Sequence, residues 1–336
     1  MKVGITYDLI DDYLAQGMSP LEAVEFDSPI TINAIKNTLE SLGHNVDCIG
    51  NAIALMKRLL DGDRWDFVFN IAEGLHGLGR EAQVPAILDV YNIPYTFSDT
   101  VVLALTLNKA ITKRVICDFG LKTPNFKTIE KIADLAQLNS LTFPLFAKPI
   151  GEGTGKGVTQ DSYLPNIQAA EKTIKNLLTQ YHQPVLVEEY LPGREFTIAI
   201  LGTGTEAKVI GTTEIFLTSN SEKYAYTYLN KVENLVKEVY LSQSERRADK
   251  EVWLAEDLAL QAHKALNCRD VSRVDIRSDA NGVPHFIEIN AIPGIRPEYS
   301  DLPLITKHNG LSYQELIAEI IKRVENLLII NQAQTV

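Results

Sequence analysis

Short apolar strands alternate with amphipathic helices along the first third of the chain. Alternating apolar residues in 2–7 and a compact apolar run in 67–71 each predict a buried β-strand. Between these strands, apolar residues recur at helical spacing in 30–42, directly after a Ser-Pro pair that is typical of a helix start. Strands that alternate with helices favour a parallel sheet, so the pattern predicts an α/β domain over residues 1–100.

Acidic residues and a histidine lie near the predicted carboxyl ends of these strands, where parallel α/β units bind their ligands. They are Glu25, Asp27, Glu73 and His76. Three glycines in 74–79 fit a flexible substrate loop and, about equally well, a loop that binds nothing. Glu25, Glu73 and His76 are therefore candidates for substrate binding.

The chain changes character after residue 100. One long helix is predicted over 101–119, where it carries Lys109 and Lys113. A later stretch, 218–245, is polar and rich in tyrosine, which suggests a long functional loop. Among its tyrosines and lysines are Lys223, Tyr224, Tyr226, Tyr228 and Lys231.

A glycine-rich run follows an apolar strand that ends at Lys148. Residues 151–157 have glycine at alternate positions, which lets backbone N–H groups converge on an anion. The run is not a Walker A loop, because Gly157 follows Lys156 where that motif has Ser or Thr. We interpret 151–157 as a flap that closes over phosphates, with Lys148 as a fixed cation beneath it.

Three acids surround a Pro-Gly turn in the predicted strand-turn-strand segment 186–198. They are Glu188, Glu189 and Glu195. A carboxylate can accept hydrogen bonds from two ribose hydroxyls, and an exposed strand edge can bond an adenine. Acids near a surface turn are also common without any ligand, so this signal is ambiguous by itself.

The stretch 273–290 predicts a β-hairpin. Asn281-Gly282 supplies two residues that tolerate positive φ, as a two-residue hairpin loop requires. One face of this hairpin is uniformly apolar and is expected to be buried. Its residues are Val274, Ile276, Ile287 and Ile289.

The opposite face of the predicted hairpin carries the polar chemistry. A two-residue loop sets Asp275 opposite Glu288 and Arg273 opposite Asn290, and all four side chains then point the same way. Two facing carboxylates destabilise a ladder unless a cation lies between them. Carboxylate and amide oxygens suit hard cations, with a phosphate nearby. A solvated face with a fortuitous salt bridge is the alternative.

The composition is that of an ordinary globular protein of 336 residues, 45% hydrophobic and 22% charged. A net charge of −11 argues against nucleic-acid binding as the main role of the protein. The three cysteines match no zinc or redox spacing. No signal-peptide run begins the sequence and no stretch is apolar enough to span a membrane, so we expect a cytoplasmic protein.

These motifs, in this order, resemble the ATP-grasp superfamily, and most closely the D-alanine–D-alanine ligases. The resemblance covers essentially the whole chain and rests on Lys109, Lys148-Pro149, Glu152-Gly153, Val187 to Phe196, Arg273-Val274-Asp275, Glu288-Ile289-Asn290 and Pro293-Gly294. It implies an ATP-grasp fold of the α/β and α+β classes with a Rossmann-like domain over 1–100. A central subdomain would then occupy 101–185 and a C-terminal subdomain 186–336.

The resemblance implies ATP as cofactor and assigns a set of ATP-binding residues. They are Lys109, Lys148, Glu152, Thr154, Glu188, Glu189, Leu191, Glu195 and Lys223. The three lysines would contact phosphates, the residues from 188 to 191 would form the adenine edge, and Glu195 would hold the ribose.

The same resemblance implies two Mg²⁺ ions, with Mn²⁺ as a substitute. Asp275, Glu288 and Asn290 would bind them, while Arg273 and Lys148 would act on the transferring phosphoryl group. The implied reaction joins a carboxylate to an amine through an acyl phosphate. Its substrates would be small amino-acid-like molecules, with no nucleic acid or membrane as partner, and a homodimer is the candidate assembly.

The chain departs from the D-alanine–D-alanine ligase pattern after Pro293-Gly294. Where those ligases have a Met-Thr-x-His-Ser-like run, this sequence reads Ile-Arg-Pro-Glu-Tyr-Ser. Arg296 is suited to grip a carboxylate with two hydrogen bonds, and Ser300 is the alternative. Three hypotheses follow: a cell-wall dipeptide ligase, a related dipeptide or tailoring ligase with other substrates, and a non-catalytic ATP-binding sensor.

Overall fold

The computed structural model describes residues 1–225, 227, 229–230, 233 and 235–334, with the side chains of 331–334 left aside. Within this part of the chain the strands form three sheets. The predicted α/β and α+β classes are confirmed by one parallel and two antiparallel sheets.

The N-terminal unit is a parallel sheet in the order β2-β1-β3. Its strands are β1 (Lys2–Thr6), β2 (Asn45–Gly50) and β3 (Phe67–Asn70). The helices are α1 (Ile10–Ala15), α2 (Pro29–Ser41), α3 (Ala52–Leu60) and α4 (Gln83–Val90). The predicted parallel α/β unit is thus correct, and Pro29 opens α2 at its first position, as the Ser-Pro signal indicated.

The middle unit contains an antiparallel sheet in the order β4-β7-β5-β6. Its strands are β4 (Phe126–Ile129), β5 (Leu145–Pro149), β6 (Tyr163–Leu164) and β7 (Val185–Glu189). Helix α7 (Ile167–Tyr181) covers it. Because β7 pairs with both β4 and β5, the predicted boundary at 185/186 falls inside a strand of this sheet.

The long helix predicted over 101–119 is wrong, since the segment forms two helices. They are α5 (Thr100–Leu107) and α6 (Lys109–Asp118). Asn108 has extended backbone, with ψ of 94°, and its side chain accepts the N–H of Ile111 as the N-cap of α6. The Lys109 N–H, freed by the break, donates to the carbonyl of Ile150 at 3.1 Å and so ties α6 to the glycine-rich segment.

The C-terminal unit is a five-stranded antiparallel sheet in the order β10-β9-β8-β11-β12. Its strands are β8 (Glu195–Leu201), β9 (Lys208–Leu217), β10 (Val236–Leu241), β11 (Val271–Ser278) and β12 (Pro284–Asn290). The helices are α8 (Gln243–Ala248), α9 (Lys250–Ala265), α10 (Asp301–His308) and α11 (Tyr313–Gln334).

The hairpin β11–β12 has the predicted pairing but not the predicted turn. Arg273 pairs with Asn290 and Asp275 with Glu288. At the turn, however, Asp279 pairs with Val283 through its N–H, so the loop has three residues and only Gly282 has a positive φ, of 71°.

A bulge in β12 compensates for the longer turn. The register shifts between Asp275 and Ile276, so Phe286 rather than Ile287 pairs with Ile276. Phe286 is 0% exposed in the core, whereas Ile287 lines a cavity. The predicted burial of Val274, Ile276 and Ile289 is therefore correct, and that of Ile287 is wrong.

The first and last units share one hydrophobic core. Phe67 and Phe97 from the N-terminal unit belong to the same buried cluster as Phe196 and Ile317. Asp270 reinforces the contact by accepting the N–H of Phe97 at 2.7 Å. It also accepts from the guanidinium of Arg323 in α11. None of the helices in the described part of the chain is long and apolar enough to cross a membrane.

Candidate active site

Two neighbouring cavities share the lining residues Lys109, Glu152 and Glu288. The first cavity lies between the middle and C-terminal sheets, and the second, larger one lies between the N-terminal unit and the chain after β12. A ligand in the first cavity can therefore meet a ligand in the second at these three shared side chains.

Lysines and glutamates alternate at this junction. The ammonium of Lys148 lies 3.1 Å from the carboxylate of Glu188 and 3.7 Å from that of Glu288. The ammonium of Lys109 lies 3.9 Å from Glu288 and donates to the carbonyl of Glu152. Burial, together with the like charge of Lys148, lowers the pKa of Lys109, whereas for Lys148 the two carboxylates outweigh burial and raise the pKa. Lys148 is thus held as a cation.

Glu188 points into the protein rather than towards solvent. It is 4% exposed and pairs with Lys113 at 2.8 Å as well as with Lys148. Although burial disfavours its charge, the two lysines hold the pKa of Glu188 below its usual range. Burial lowers the pKa of Lys113 to about 8. Glu188 is therefore a buried counter-ion for two lysines, and it also lines the first cavity, so its predicted place at the adenine edge stays a prediction.

The glycine-rich segment 151–157 forms a tight turn over the junction. Thr154, Gly155 and Gly157 all have positive φ, of 52°, 72° and 78°. A Cβ on Gly157 would lie 2.5 Å from the ring of Pro149, so only glycine fits there. The carboxylate of Glu152 forms an ion pair with the ammonium of Lys156 at 2.7 Å. Glu152 lines both cavities, and Thr154 lines the second. The phosphate-binding role of the segment stays a prediction.

The far end of the first cavity is lined by Glu189, Leu191 and Glu195. The carboxylate of Glu189 accepts from the side-chain amide of Asn125 at 2.9 Å and from the N–H of Thr142 at 2.8 Å. This carboxylate is therefore engaged with the neighbouring strand connections. Leu191 is 8% exposed and supplies apolar surface.

Arg277 organises this end of the cavity, although sequence reasoning did not single it out. Its guanidinium lies 3.3 Å from the carboxylate of Glu195 and donates to the hydroxyl of Tyr190 at 3.0 Å. It also donates to the carbonyl of Tyr224 at 2.6 Å, and the Tyr224 ring stacks on Tyr163 with centroids 3.8 Å apart. The alternation that puts Asp275 on this face also puts Arg277 there, so the signal was present.

The hairpin brings together the four polar residues predicted for its outer face. Arg273 contacts the carboxylate of Asp275 at 3.1 Å and that of Asp301 at 3.2 Å. Asp275 and Glu288 line the first cavity, and Arg273, Glu288 and Asn290 line the second. The predicted common face is confirmed by these positions.

The donor set on this face fits a hard divalent cation. One carboxylate oxygen of Asp275 is buried without a hydrogen-bond partner. Among the described residues, no three His, Cys, Asp or Glu side chains converge as metal ligands. Magnesium sites often use one or two carboxylates and take their remaining ligands from phosphates and water, which suits Asp275 and Glu288.

Arg80 and Glu25 link the second cavity to the glycine-rich segment. The guanidinium of Arg80 donates to Glu25 at 2.6 Å and to the carbonyl of Gly151 at 2.8 Å. The other oxygen of Glu25 accepts the N–H of Gly153 at 2.6 Å. Glu25 thus lies in the second cavity as predicted, and Arg80 behind it was missed because its partners are remote in sequence.

Further acids face the second cavity. Burial raises the pKa of Glu73 well above its ordinary value, with the charge of Glu81 adding to the effect. Burial also raises the pKa of Glu81 to about 7 and that of Asp27 to about 7. Glu81 and Asp27 therefore titrate near neutral pH.

The chain after β12 forms the opposite wall of the second cavity. Arg296 lines it, with its guanidinium 4.6 Å from the ring centroid of Tyr299, and no described residue forms an ion pair with it. Ser300 also lines this cavity, and its hydroxyl accepts the N–H of Arg296 at 3.1 Å.

Two candidate residues lie elsewhere. His76 is exposed, contributes its carbonyl to Gln83, and is not among the residues that line either cavity. Lys223 is exposed and also lies outside both linings. Tyr226, Tyr228 and Lys231 fall outside the described residues.

The amino-acid sequence of the chain is similar to those of D-alanine–D-alanine ligases. The family model described as "D-ala D-ala ligase C-terminus" matches residues 115–322. A D-alanine–D-alanine ligase of Saccharophagus degradans is 34% identical over 83% of this chain and 82% of its own length. An uncharacterised protein y4sG of Sinorhizobium fredii is also 34% identical, over 76% of this chain and 73% of its own.

Comparison with solved structures gives the same fold. A Bacillus anthracis D-alanine–D-alanine ligase complexed with ATP superposes with a TM-score of 0.74 at 22% identity, covering 98% of this chain and 99% of that one. The VanG D-Ala:D-Ser ligase of Enterococcus faecalis has a TM-score of 0.73 at 21% identity, covering 96% and 99%. The predicted ATP-grasp fold is thereby confirmed.

Proposed function

Because the chain belongs to the D-alanine–D-alanine ligase family and is an ATP-dependent carboxylate–amine ligase, we propose that it joins two small amino acids into a dipeptide. The leading candidate for both substrates is D-alanine. One observation carries this proposal: cations and paired acids meet at the three side chains shared by the two cavities. This arrangement supports transfer of a phosphoryl group from a nucleotide in the first cavity to a carboxylate in the second.

The first half-reaction makes an acyl phosphate. A carboxylate oxygen of the first amino acid attacks the γ-phosphorus, and the bond from that phosphorus to the bridging oxygen of ADP breaks. The attacking carboxylate, the γ-phosphate and the departing ADP are all anionic. Lys148 and Arg273 offset their negative charge and hold the three groups in line. The cation Lys109 lines both cavities, so it can contact the phosphoryl group both before and after transfer.

Two Mg²⁺ ions are part of the proposal, with Asp275, Glu288 and Asn290 as their protein ligands. When bound, the metal supplies positive charge to the phosphate oxygens. Arg273 contacts Asp275 from the side, which orients this carboxylate within the site.

The second half-reaction makes the peptide bond. The amine nitrogen of the second amino acid attacks the acyl carbon and loses a proton, and the tetrahedral intermediate collapses with loss of phosphate. Arg296, which has no ion-pair partner among the described residues, is suited to bind the carboxylate of this second amino acid. The turn at 151–157 limits access of water to the acyl phosphate.

A second candidate function is a ligase of the same mechanism that joins other amino acids or a related acid and amine. The observation that favours it is the Ile-Arg-Pro-Glu-Tyr-Ser run, which puts Arg296 in the second cavity in place of the serine-containing run of the ligases it resembles. The acids Glu73 and Glu81 also line that cavity.

A substrate panel tests the proposal. D- and L-amino acids are supplied singly and in pairs with MgATP, phosphate release is measured, and products are identified by mass spectrometry. The expected result is phosphate release that requires an amino-acid pair and yields one dipeptide. Hydroxylamine in place of the second amino acid should trap a hydroxamate. ATP hydrolysis that no acid stimulates, together with no hydroxamate, would contradict a ligase and favour a nucleotide sensor.

A further inference from the structure

Lys113 is a charged residue that the proposed chemistry leaves unused, although it is completely buried. Its side chain is 0% exposed, on the inner face of α6, one turn after Lys109. An ammonium group removed from water must be compensated by protein groups. Its partners therefore show what it stabilises.

The partners of Lys113 lead directly to the phosphate-side lysine. Its ammonium lies 2.8 Å from one carboxylate oxygen of Glu188, while Lys148 lies 3.1 Å from the other. Glu188 thus bridges two lysines on a single buried carboxylate. Lys113 and Lys148 therefore share one counter-ion.

Lys113 also contacts the strand that carries a proposed metal ligand. Its ammonium donates to the hydroxyl of Thr123 at 2.7 Å and to the carbonyl of Phe286 at 3.3 Å. The Thr123 hydroxyl donates to the same carbonyl at 2.7 Å. Phe286 lies on β12, two residues before Glu288, so one ammonium joins the lysine-bearing sheet to the acid-bearing hairpin.

We propose that Lys113 is a positioning residue that holds Lys148 in place for the nucleotide phosphates by sharing the charge of Glu188. This inference rests on the proposed function, because it takes Lys148 as a phosphate ligand. Without Lys113, Glu188 draws the ammonium of Lys148 towards itself, and the wall around the phosphates becomes more negative by one charge. Both effects weaken the binding of an anionic nucleotide.

The direct test compares Lys113→Met with Arg114→Met. Arg114 is the next residue on α6 and is exposed, so its variant removes the same charge from the same helix without touching Glu188. MgATP binding is measured by calorimetry. Steady-state kinetics with the amino-acid pair gives kcat and KM. Lys113→Met should weaken MgATP binding roughly 10- to 100-fold and raise the KM of ATP in parallel, with the KM of the amino acids changed less than about threefold. Equal MgATP affinities for the two variants would overturn the proposal.

A double variant separates charge sharing from simple packing damage. In Lys113→Met/Glu188→Gln both the cation and its anion are gone, so Lys148 is no longer pulled aside. We expect at least about tenfold of the lost MgATP affinity to return. Effects that merely add, or a double variant worse than Lys113→Met, would contradict charge sharing and support a direct nucleotide contact by Glu188.

Thr123→Val provides the decisive reading if Lys113→Met does not fold. It removes one hydrogen-bond partner of Lys113 and the second donor to Phe286 without changing any charge. We expect roughly threefold weaker MgATP binding, and unchanged binding would overturn the proposal. Calorimetry measures binding without turnover. If the variants show the expected MgATP affinities in a protein that activates no acid, the proposed function is contradicted and the role of Lys113 is retained.

Discussion

Arg296 differs from the other cations that line the two cavities, because no described carboxylate pairs with it. Lys109, Lys148, Arg273 and Arg277 each have an acid within 4 Å. An unpaired guanidinium in a cavity retains its full capacity for a ligand carboxylate. This single residue therefore carries the assignment of the second amino acid.

Replacing Arg296 by alanine should affect one substrate selectively. We expect Arg296→Ala to raise the KM of the amine-donating amino acid roughly 10- to 100-fold, since a charge-assisted bidentate contact is lost. The KM of ATP should change little. Steady-state kinetics with each substrate varied in turn gives the comparison. Lys307→Ala, which removes the nearby cation that pairs with exposed Glu298, is the control. Equal increases in the KM of the amino acid and the KM of ATP would contradict the proposed role of Arg296.

Asp27 makes folding stability depend on pH near neutrality. Burial raises its pKa from 3.8 to about 7, so between these values the folded protein binds a proton that the unfolded chain has released. Stability contributed by that proton is present at low pH and falls as the pH rises towards 7. The sign is the opposite of that for a salt-bridged carboxylate.

Asp27→Asn tests this sign. The variant should match the original protein near pH 4.5 and exceed its stability at pH 8 by about 3 kcal/mol, because the amide carries no charge to desolvate. Denaturant unfolding across this pH range measures the difference. Exposed Asp11→Asn serves as the control. A stability difference that is the same at both pH values would contradict the raised pKa of Asp27.

At the scale of elements, the hairpin shows what a sequence pattern can and cannot determine. The three-residue turn was readable, because the Asp279 carboxylate accepts the N–H groups of Asn281 and Val283, a turn chemistry that Asp signals. The bulge that restores the register has no such signal. It follows from Phe286 filling the core and from the contacts of its carbonyl with Lys113 and Thr123.

The same contrast applies to the broken helix and to β7. Asn108 is a strong N-cap residue, and its presence within the apolar stripe indicated the break that puts Lys109 at a helix start. By contrast, the burial of Glu188 between two lysines requires Lys113 of α6 and Lys148 of β5 to meet one carboxylate on β7. Strand periodicity alone could not distinguish this carboxylate from a surface acid.

At the scale of the whole molecule, the active site lies where three units meet. Order along the chain and the hairpin motif predicted the ATP-grasp fold and the acid-bearing face correctly. The wall of the second cavity was only partly predicted, since Glu25, Arg80 and Glu81 come together with residues near 300 across more than 200 positions. Such convergence comes from the core that the first and last units share.

Calorimetric titration of ATP in the presence and absence of Mg²⁺ tests the central claim most directly. The account predicts that Mg²⁺ strengthens ATP binding at least roughly tenfold in the original protein, because the hairpin acids and the phosphates bind the ion together. Asp275→Asn should lose most of this gain, and exposed Asp257→Asn should keep it. ATP binding that is indifferent to Mg²⁺, or a full gain in Asp275→Asn, would contradict the account.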